Sequence, residues 1–466
     1  MKGLSMNRHI PSLAAFSLYR WTILLLALLT VHSAIHSQQA PTAVLFKNVR
    51  IFDGNSAQLT PPSNLLVVGD TIAQISTSPI EPPSGVPTIT IIGDGRVLIP
   101  GLIDAHWHSI SAGANSADRN GDFGYRYLLA GVEAKQTLLR GFTTVRDLAG
   151  PSFGLKKAID NGLIQGPRIY PSGAMISQTG GHGDNRQLTD AHPRFGGNTP
   201  RSEIVGDSII ADGRDQVLAA VREQLRLGAS QIKLATTGGI SSENDPLDSL
   251  QFTSDEIRAA VEAASDWGTY VTVHNYSSEG ARRAIDAGVK VIDHGQLLDE
   301  PTIQLLAEKG IWLSIQPFLP TTDKSKLPAD FASGPKFAKG QLVTAGTDRA
   351  YTLAKKYHVK IAFGTDLGGG LELAAQQNAR LLSLTRWFSP EEILHIATAA
   401  NGELVALSGP RNPYPKKLGV VETGAYADLL LVNGNPLEDI NLLGAPDKSL
   451  AVIVKNGEIV KNTLGR

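Results

Sequence analysis

Between residues 97 and 366, eight short apolar runs recur, and the stretches between many of them carry the period of amphipathic helices. The runs are LIPGLIDAH, TTVRDL (143–148), RIYPSGA (168–174), QIKLA, YVTVH, KVIDH, IWLSI (311–315) and KIAFGTD, and the helical stretches are 125–140, 214–228, 253–267, 278–287 and 300–309. Strands that alternate with helices build a parallel sheet covered on both faces, and eight such units suit a closed barrel. The expected fold class is α/β, a (β/α)8 TIM barrel. In that architecture the chemistry sits at the C-terminal ends of the strands.

Six polar residues lie where these runs end: His106, His108, Lys233, His274, His294 and Asp366. A strand alternates faces, so His106 and His108 point one way and Trp107 the other, and two imidazoles can reach one metal ion. Taken singly, each residue has an ordinary explanation. A His-x-His can be a polar strand face, a lysine can carry its amine to solvent along an apolar wall, and an Asp can cap the next helix. As an ordered set at successive strand ends, they describe one concave site of nitrogen and oxygen donors, the types a two-metal hydrolase needs.

A smaller β domain is expected to bracket the barrel. AVLFKNVRIFDG, NLLVVGDTIAQIS and TITIIGDGRVLIP read as short strands broken by turn residues, and the pattern returns in GAYADLLLVNG and LAVIVKNGEIVKN (424–462). The two ends of the chain would then complete one small β-sandwich, with residues 41–100 and 411–466 as its parts and 101–410 as the barrel. Residues 1–37 have the order of a secretory signal: Lys2, Arg8 and Arg20, then the apolar WTILLLALLTV, then small and polar residues before a cleavage expected near Ser37 or Ala40. The apolar run is too short to span a bilayer, which takes roughly 20 residues. The expectation is an exported, periplasmic or secreted protein with no stable membrane association after cleavage.

The chain has 466 residues and no cysteine, so thiolate metal sites, cysteine nucleophiles and disulfides are excluded. With 43 basic and 44 acidic residues in fair mixture, nothing suggests a nucleic-acid footprint, and small partners are expected. There is no P-loop.

PGLIDAHWH, the strands of Lys233, His274 and His294, and FGTDLGG, bracketed by the split β domain, resemble the amidohydrolase superfamily. Within it the likeness is to the binuclear-metal Xaa-Pro dipeptidase and imidazolonepropionase-related group, including bacterial ochratoxin-degrading members. The resemblance covers nearly everything after the leader; its motifs are specific as an ordered set and weak singly. It implies that His106 and His108 bind one metal, that His274 and His294 bind a second, and that Lys233 bridges both as a carbamate formed with carbon dioxide. Asp366, close to the first metal, would be general acid/base for a metal-bridging hydroxide. Zinc suits the donor set best, and manganese, cobalt or iron would fit it too. His182, in SQTGGHGD, matches a position that hydrogen-bonds the reacting carbonyl, and Tyr276 is placed to help hold the oxyanion. The resemblance also implies a homo-oligomer, often an octamer.

The expected activity is hydrolysis of the amide bond of a dipeptide or N-acyl amino acid, of the Xaa-Pro or ochratoxin A type, in which phenylalanine is released. Two other readings stay open: a cyclic amide hydrolase like imidazolonepropionase, and a catalytically silent periplasmic metal-binding protein. Two long stretches, 174–212 and 317–357, are candidate substrate-shaping loops. Arg186 and Arg194, in the first of them, are candidates for the substrate carboxylate. His9, His32 and His36 fall in the leader, while His192, His358 and His395 carry no motif.

Overall fold

The computed structural model describes Gly3 and residues 42–320, 327 and 331–465. The leader expected at residues 1–37 lies, apart from Gly3, outside the described residues.

Both ends of the chain contribute to one eight-stranded sheet. Strands Ala43–Ile51, Ser63–Val68, Thr71–Ser76, Thr88–Ile92 and Val97–Pro100 come from the N-terminal part, and Leu429–Val432, Leu450–Lys455 and Glu458–Asn462 from the C-terminal part. Val97–Pro100 is the seam. It runs parallel to the end of the first strand (Arg50↔Val97) and antiparallel to Leu429–Val432 (Leu430↔Ile99). Alternate residues such as Val44, Phe46, Leu65, Val67, Leu429 and Leu431 form the apolar core of this part.

The remaining strands are parallel and short, and eight of them are buried along their whole length, as strands covered on both faces must be. Leu102–Trp107, Phe142–Asp147 and Arg168–Pro171 form one sheet in chain order. Ile232–Ala235, Val271–Asn275, Val291–His294, Trp312–Ile315 and Ile361–Phe363 follow in chain order in a second, which Met175–Ser177 and Ser208–Ile210 extend at its Lys233 edge. Backbone hydrogen bonds join the two sheets in two places. Ser230 N donates to Pro171 O at 2.7 Å, and Asp366 N donates to His106 O at 2.8 Å. The second of these brings the first and last functional strand ends side by side.

The run LIPGLIDAH, expected as one strand, is divided between two. It breaks at Gly101, whose N–H goes to Asp428 O while Leu102 N–H goes to Gly141 O. A Cβ on Gly101 would sit 2.0 Å from Thr143 Oγ1, so only glycine allows the chain to pass from the terminal sheet into the parallel one here.

Helices Phe123–Leu139, Arg214–Leu227, Ser254–Asp266, Ser278–Asp286 and Glu300–Lys309 occupy the five amphipathic stretches. Their starts follow local chemistry. Thr253 and Glu256 form a reciprocal capping box, and Asp299 accepts from Thr302 N with a proline in the first turn. The stretch 317–357, expected as a loop, is instead largely one helix, Gly334–Lys356. Its buried positions include Lys339 and Thr347 among Val343, Ala350, Tyr351 and Ala354, and these polar residues interrupt the apolar periodicity that would have announced it.

Candidate metal centre and active site

The strand ends gather His106, His294 and Asp366 so that one donor atom from each lies within 4.8 Å of the others. His108, one residue past its strand, joins through Nε2, which is 2.9 Å from Asp366 Oδ1; His106 Nε2 is 3.6 Å from the same oxygen. Two of these residues sit in unusual backbone conformations. His294 has φ 74° and Asp366 φ 51°, in the left-handed region that costs a non-glycine residue energy. Such strain is held only where the surroundings over-determine it. Here the Asp366 N–H bond to His106 O, together with the buried Asp104, supplies part of that hold. Asp104 accepts from Thr365 N (3.1 Å), Thr365 Oγ1 (2.6 Å) and His106 N (3.0 Å).

Gly364 lets the two strand ends approach. A Cβ there would lie 2.4 Å from His106 Cβ and 2.6 Å from His106 N. Gly364→Ala is therefore expected to destabilise the fold by about 1–3 kcal/mol and to lower turnover by parting Asp366 from His106. Urea unfolding and kcat/KM measured side by side check this, and wild-type values of both are the contrary result.

Gln316 ties the imidazoles together. His294 Nδ1 lies 2.7 Å from Gln316 Oε1, and Gln316 Nε2 lies 3.2 Å from His106 Nδ1, which is also 3.4 Å from Asp293 Oδ1. An Nδ1–H given by His294 to Gln316 leaves the Nε2 lone pair of that ring free, the arrangement that orients histidine toward a metal; His106 Nδ1 accepts from Gln316 Nε2 in one tautomer, and in the other turns its N–H to Asp293 and frees Nε2. Burial, its largest influence, pushes His106 down to about 4 despite the pull of the Asp366 carboxylate, and it holds His294 and His274 well below the ordinary histidine value. These rings are neutral at pH 7 and able to donate lone pairs. His108 is raised: burial opposes its charge, but the Asp366 hydrogen bond outweighs it. Burial would lift Asp366, yet the surrounding histidines draw it below the ordinary carboxylate range.

His274 stands beside this group with its ring 4.4 Å from that of His294, and its Nε2 is 3.2 Å from Gly238 O. That leaves Nδ1 as its lone-pair donor. Lys233 enters one step further out. Its ammonium donates to Asp293 Oδ2 at 2.6 Å, and Asp293 Oδ1 accepts from Arg146 Nη2 at 2.6 Å. All three side chains are buried. Burial lowers the Lys233 amine, while Asp293 stays well below its ordinary value because the two cations overcome the burial that would raise it.

Of the residues expected to touch substrate, His182 stacks on His274 with ring centres 4.0 Å apart, and Tyr276 stacks on His294 at 5.0 Å. Arg186 is occupied by Asp184, through Nε at 2.8 Å and Nη2 at 2.6 Å, and Arg194 is exposed. The site also uses residues that the sequence reading passed over: Gln316, Asp293, Arg146 and Asp104. Gln316 could have been found by the rule that found the others, because it ends the run IWLSI.

The donor set of imidazole nitrogen and carboxylate oxygen, with neutral rings aimed by buried partners, fits a divalent metal. Comparisons with known proteins agree with this chemistry. Residues 97–460 match the model of the amidohydrolase family. The ochratoxinase of Aspergillus niger is 33% identical over 380 residues, which are 78% of this chain and 76% of that protein. A solved amidohydrolase superposes with a TM-score of 0.82 at 32% identity, covering 91% of this chain and 100% of the other. A prolidase solved in complex with N-methylphosphonate-L-proline gives 0.81 at 31%, with the same coverage. With a family match over most of its length and a His/Asp group that could hold a metal, the chain belongs to the amidohydrolase family and is a hydrolase acting on C–N bonds.

Proposed function

We propose that this protein hydrolyses the amide bond joining an acyl group to a C-terminal amino acid, in dipeptides of the Xaa-Pro type or in N-acyl-phenylalanine amides of the ochratoxin type. The observation that carries the reading is Asp366, hydrogen-bonded to His108 beside His106 and His294, at the end of the last parallel strand. The likeness to an ochratoxinase and to a prolidase holding a phosphonate analogue of an acyl-proline supports the substrate class.

His106, His108 and Asp366 would hold one divalent ion and His274 and His294 a second, zinc in both, with Lys233 shared between them. Lys233 would do so as a carbamate, its neutral amine adding to carbon dioxide and giving up a proton to leave an anionic oxygen donor. The burial that lowers the Lys233 amine favours that neutral form. Two such ions acidify water and polarise a carbonyl. The chain's own residues do the rest. Asp366 takes the proton of the attacking water and delivers it to the leaving nitrogen, which an amide requires because its anion leaves poorly. His182 hydrogen-bonds the reacting carbonyl, and Tyr276, whose hydroxyl burial holds protonated, donates to the oxyanion.

The same reading takes the two parallel sheets as arcs of one (β/α)8 barrel, with residues 41–100 and 411–466 as a flanking β-sandwich and 101–410 as the barrel. It takes the protein as exported by residues 1–37 and assembled as a homo-oligomer.

The test is metal content of the purified protein, with turnover of N-acyl-phenylalanine, Xaa-Pro and cyclic ureide substrates before and after chelation. About two metals per chain, and amide hydrolysis lost on chelation and restored by zinc, are the expected outcome. Turnover indifferent to chelator sinks the metal assignment, hydrolysis of cyclic ureides alone replaces the substrate class, and metal and ligand binding without turnover makes the chain a silent binder.

A further inference from the structure

His182 is held more tightly than a residue on a glycine-rich loop need be. Its ring is wedged between His274 on one face and the backbone of Gly239, where a Cβ would lie 2.1 Å from His182 Cε1. Its Nδ1 faces Ser242 Oγ at 2.7 Å and Asp245 Oδ2 at 3.3 Å, and among the described residues no protein group takes its Nε2. Asp245 is itself buried. Its Oδ2 accepts Gly239 N–H at 2.8 Å, and its Oδ1 is 3.3 Å from Lys339 Nζ. Burial would raise this carboxylate, but His182 and the surrounding donors bring it down to about 2.

Lys339 does more than pair with that carboxylate. Its ammonium also donates to Gly239 O at 3.0 Å, Ser242 O at 2.9 Å and Asp245 O at 2.7 Å. An ammonium has three N–H groups, and this one spends them on carbonyls and a carboxylate of one short loop. The lysine comes from helix Gly334–Lys356, which follows the strand Trp312–Ile315, while the loop follows the Lys233 strand Ile232–Ala235. One inserted helix thus latches a loop from a different strand, and that loop grips His182.

We propose that Lys339 and Asp245 are a positioning pair: Lys339 fixes the loop 239–245, and Asp245 within it fixes the His182 ring so that Nε2 faces the reacting carbonyl. A carboxylate only accepts, so Nδ1 carries the proton and the ring cannot turn over without losing that bond. Neither residue touches substrate, and both act through His182. The inference rests on the role given to His182 in the proposed function.

The test is a double-mutant cycle on the substrate that the wild type turns over best. Asp245→Asn and Lys339→Met are each expected to lower kcat by about 10–100-fold with KM and metal content near wild type. Combined with His182→Asn, each is expected to add no further loss, because a residue that acts through His182 has nothing left to position. Losses that multiply in the double variants, or wild-type kcat in either single, overturn the pair. Should Lys339→Met fail to fold, the near-isosteric Asp245→Asn decides alone. A wild type that hydrolyses none of the panel overturns the functional reading instead. The crystal structure of Asp245→Asn then decides this one: a His182 ring displaced from His274 supports it, and a ring still stacked at 4.0 Å overturns it.

Discussion

Asp366→Asn is expected to cut turnover by about 10²–10⁴-fold, the usual worth of a general acid/base, while the fold stays intact. The substitution suits the position. Asparagine tolerates the left-handed conformation that Asp366 adopts at φ 51°, and the backbone N–H bond to His106 O does not depend on the side chain. What asparagine cannot do is accept a proton from water and return it to a leaving nitrogen. It also removes the negative charge that faces three histidines, with His108 Nε2 at 2.9 Å, His106 Nε2 at 3.6 Å and His294 Nδ1 at 3.9 Å. Metal affinity is therefore expected to fall as well, and metal content must be measured in the same samples. Turnover that stays low when excess zinc restores full occupancy isolates the proton-transfer role. Activity within about threefold of wild type at full occupancy would exclude Asp366 as the acid/base, since even the weakest such group is worth about 10²-fold.

Much of this centre was legible because parallel strands advertise their ends. A buried strand of three to six residues reads as a largely apolar run, and a polar residue toward its C-terminal end lies near the rim of the sheet. His106, Lys233, His274, His294 and Asp366 were found that way; the structure brings His106, His294 and Asp366 together, sets His274 beside them and pairs Lys233 with Asp293. The partners were less visible. Arg146, Asp293 and Asp104 lie inside runs that read as strand, and no local pattern distinguishes a buried ion pair from an exposed polar position; only the pairing of the strands brings Arg146 to Asp293 across 147 positions of sequence. Arg186 was named for its place in a long loop, but Asp184, two residues away, occupies its guanidinium. The helix Gly334–Lys356 was missed because it buries a lysine where a core helix would bury a leucine, and that lysine is the residue that reaches the Asp245 loop.

Arg146→Met is expected to destabilise the protein by about 3–5 kcal/mol, the cost of removing one partner from a buried ion pair. The guanidinium is fully buried and ties several strands together. Nε donates to Ala105 O at 2.6 Å, Nη2 to Asp293 Oδ1 at 2.6 Å and to Ser314 Oγ at 3.1 Å, and Nη1 faces Tyr270 and Thr272 hydroxyls at 3.4 Å. Methionine keeps most of the stem and the packing but leaves Asp293 with one buried ammonium, that of Lys233, and leaves Ala105 O without its donor. In metal-free protein Lys233, as an ammonium, still balances part of the Asp293 charge after Arg146 is gone. Guanidinium unfolding of metal-free wild type and variant measures the loss, with an unchanged m-value showing that stability and not compactness has moved. A loss below about 1 kcal/mol would mean that Asp293 is balanced by something other than Arg146.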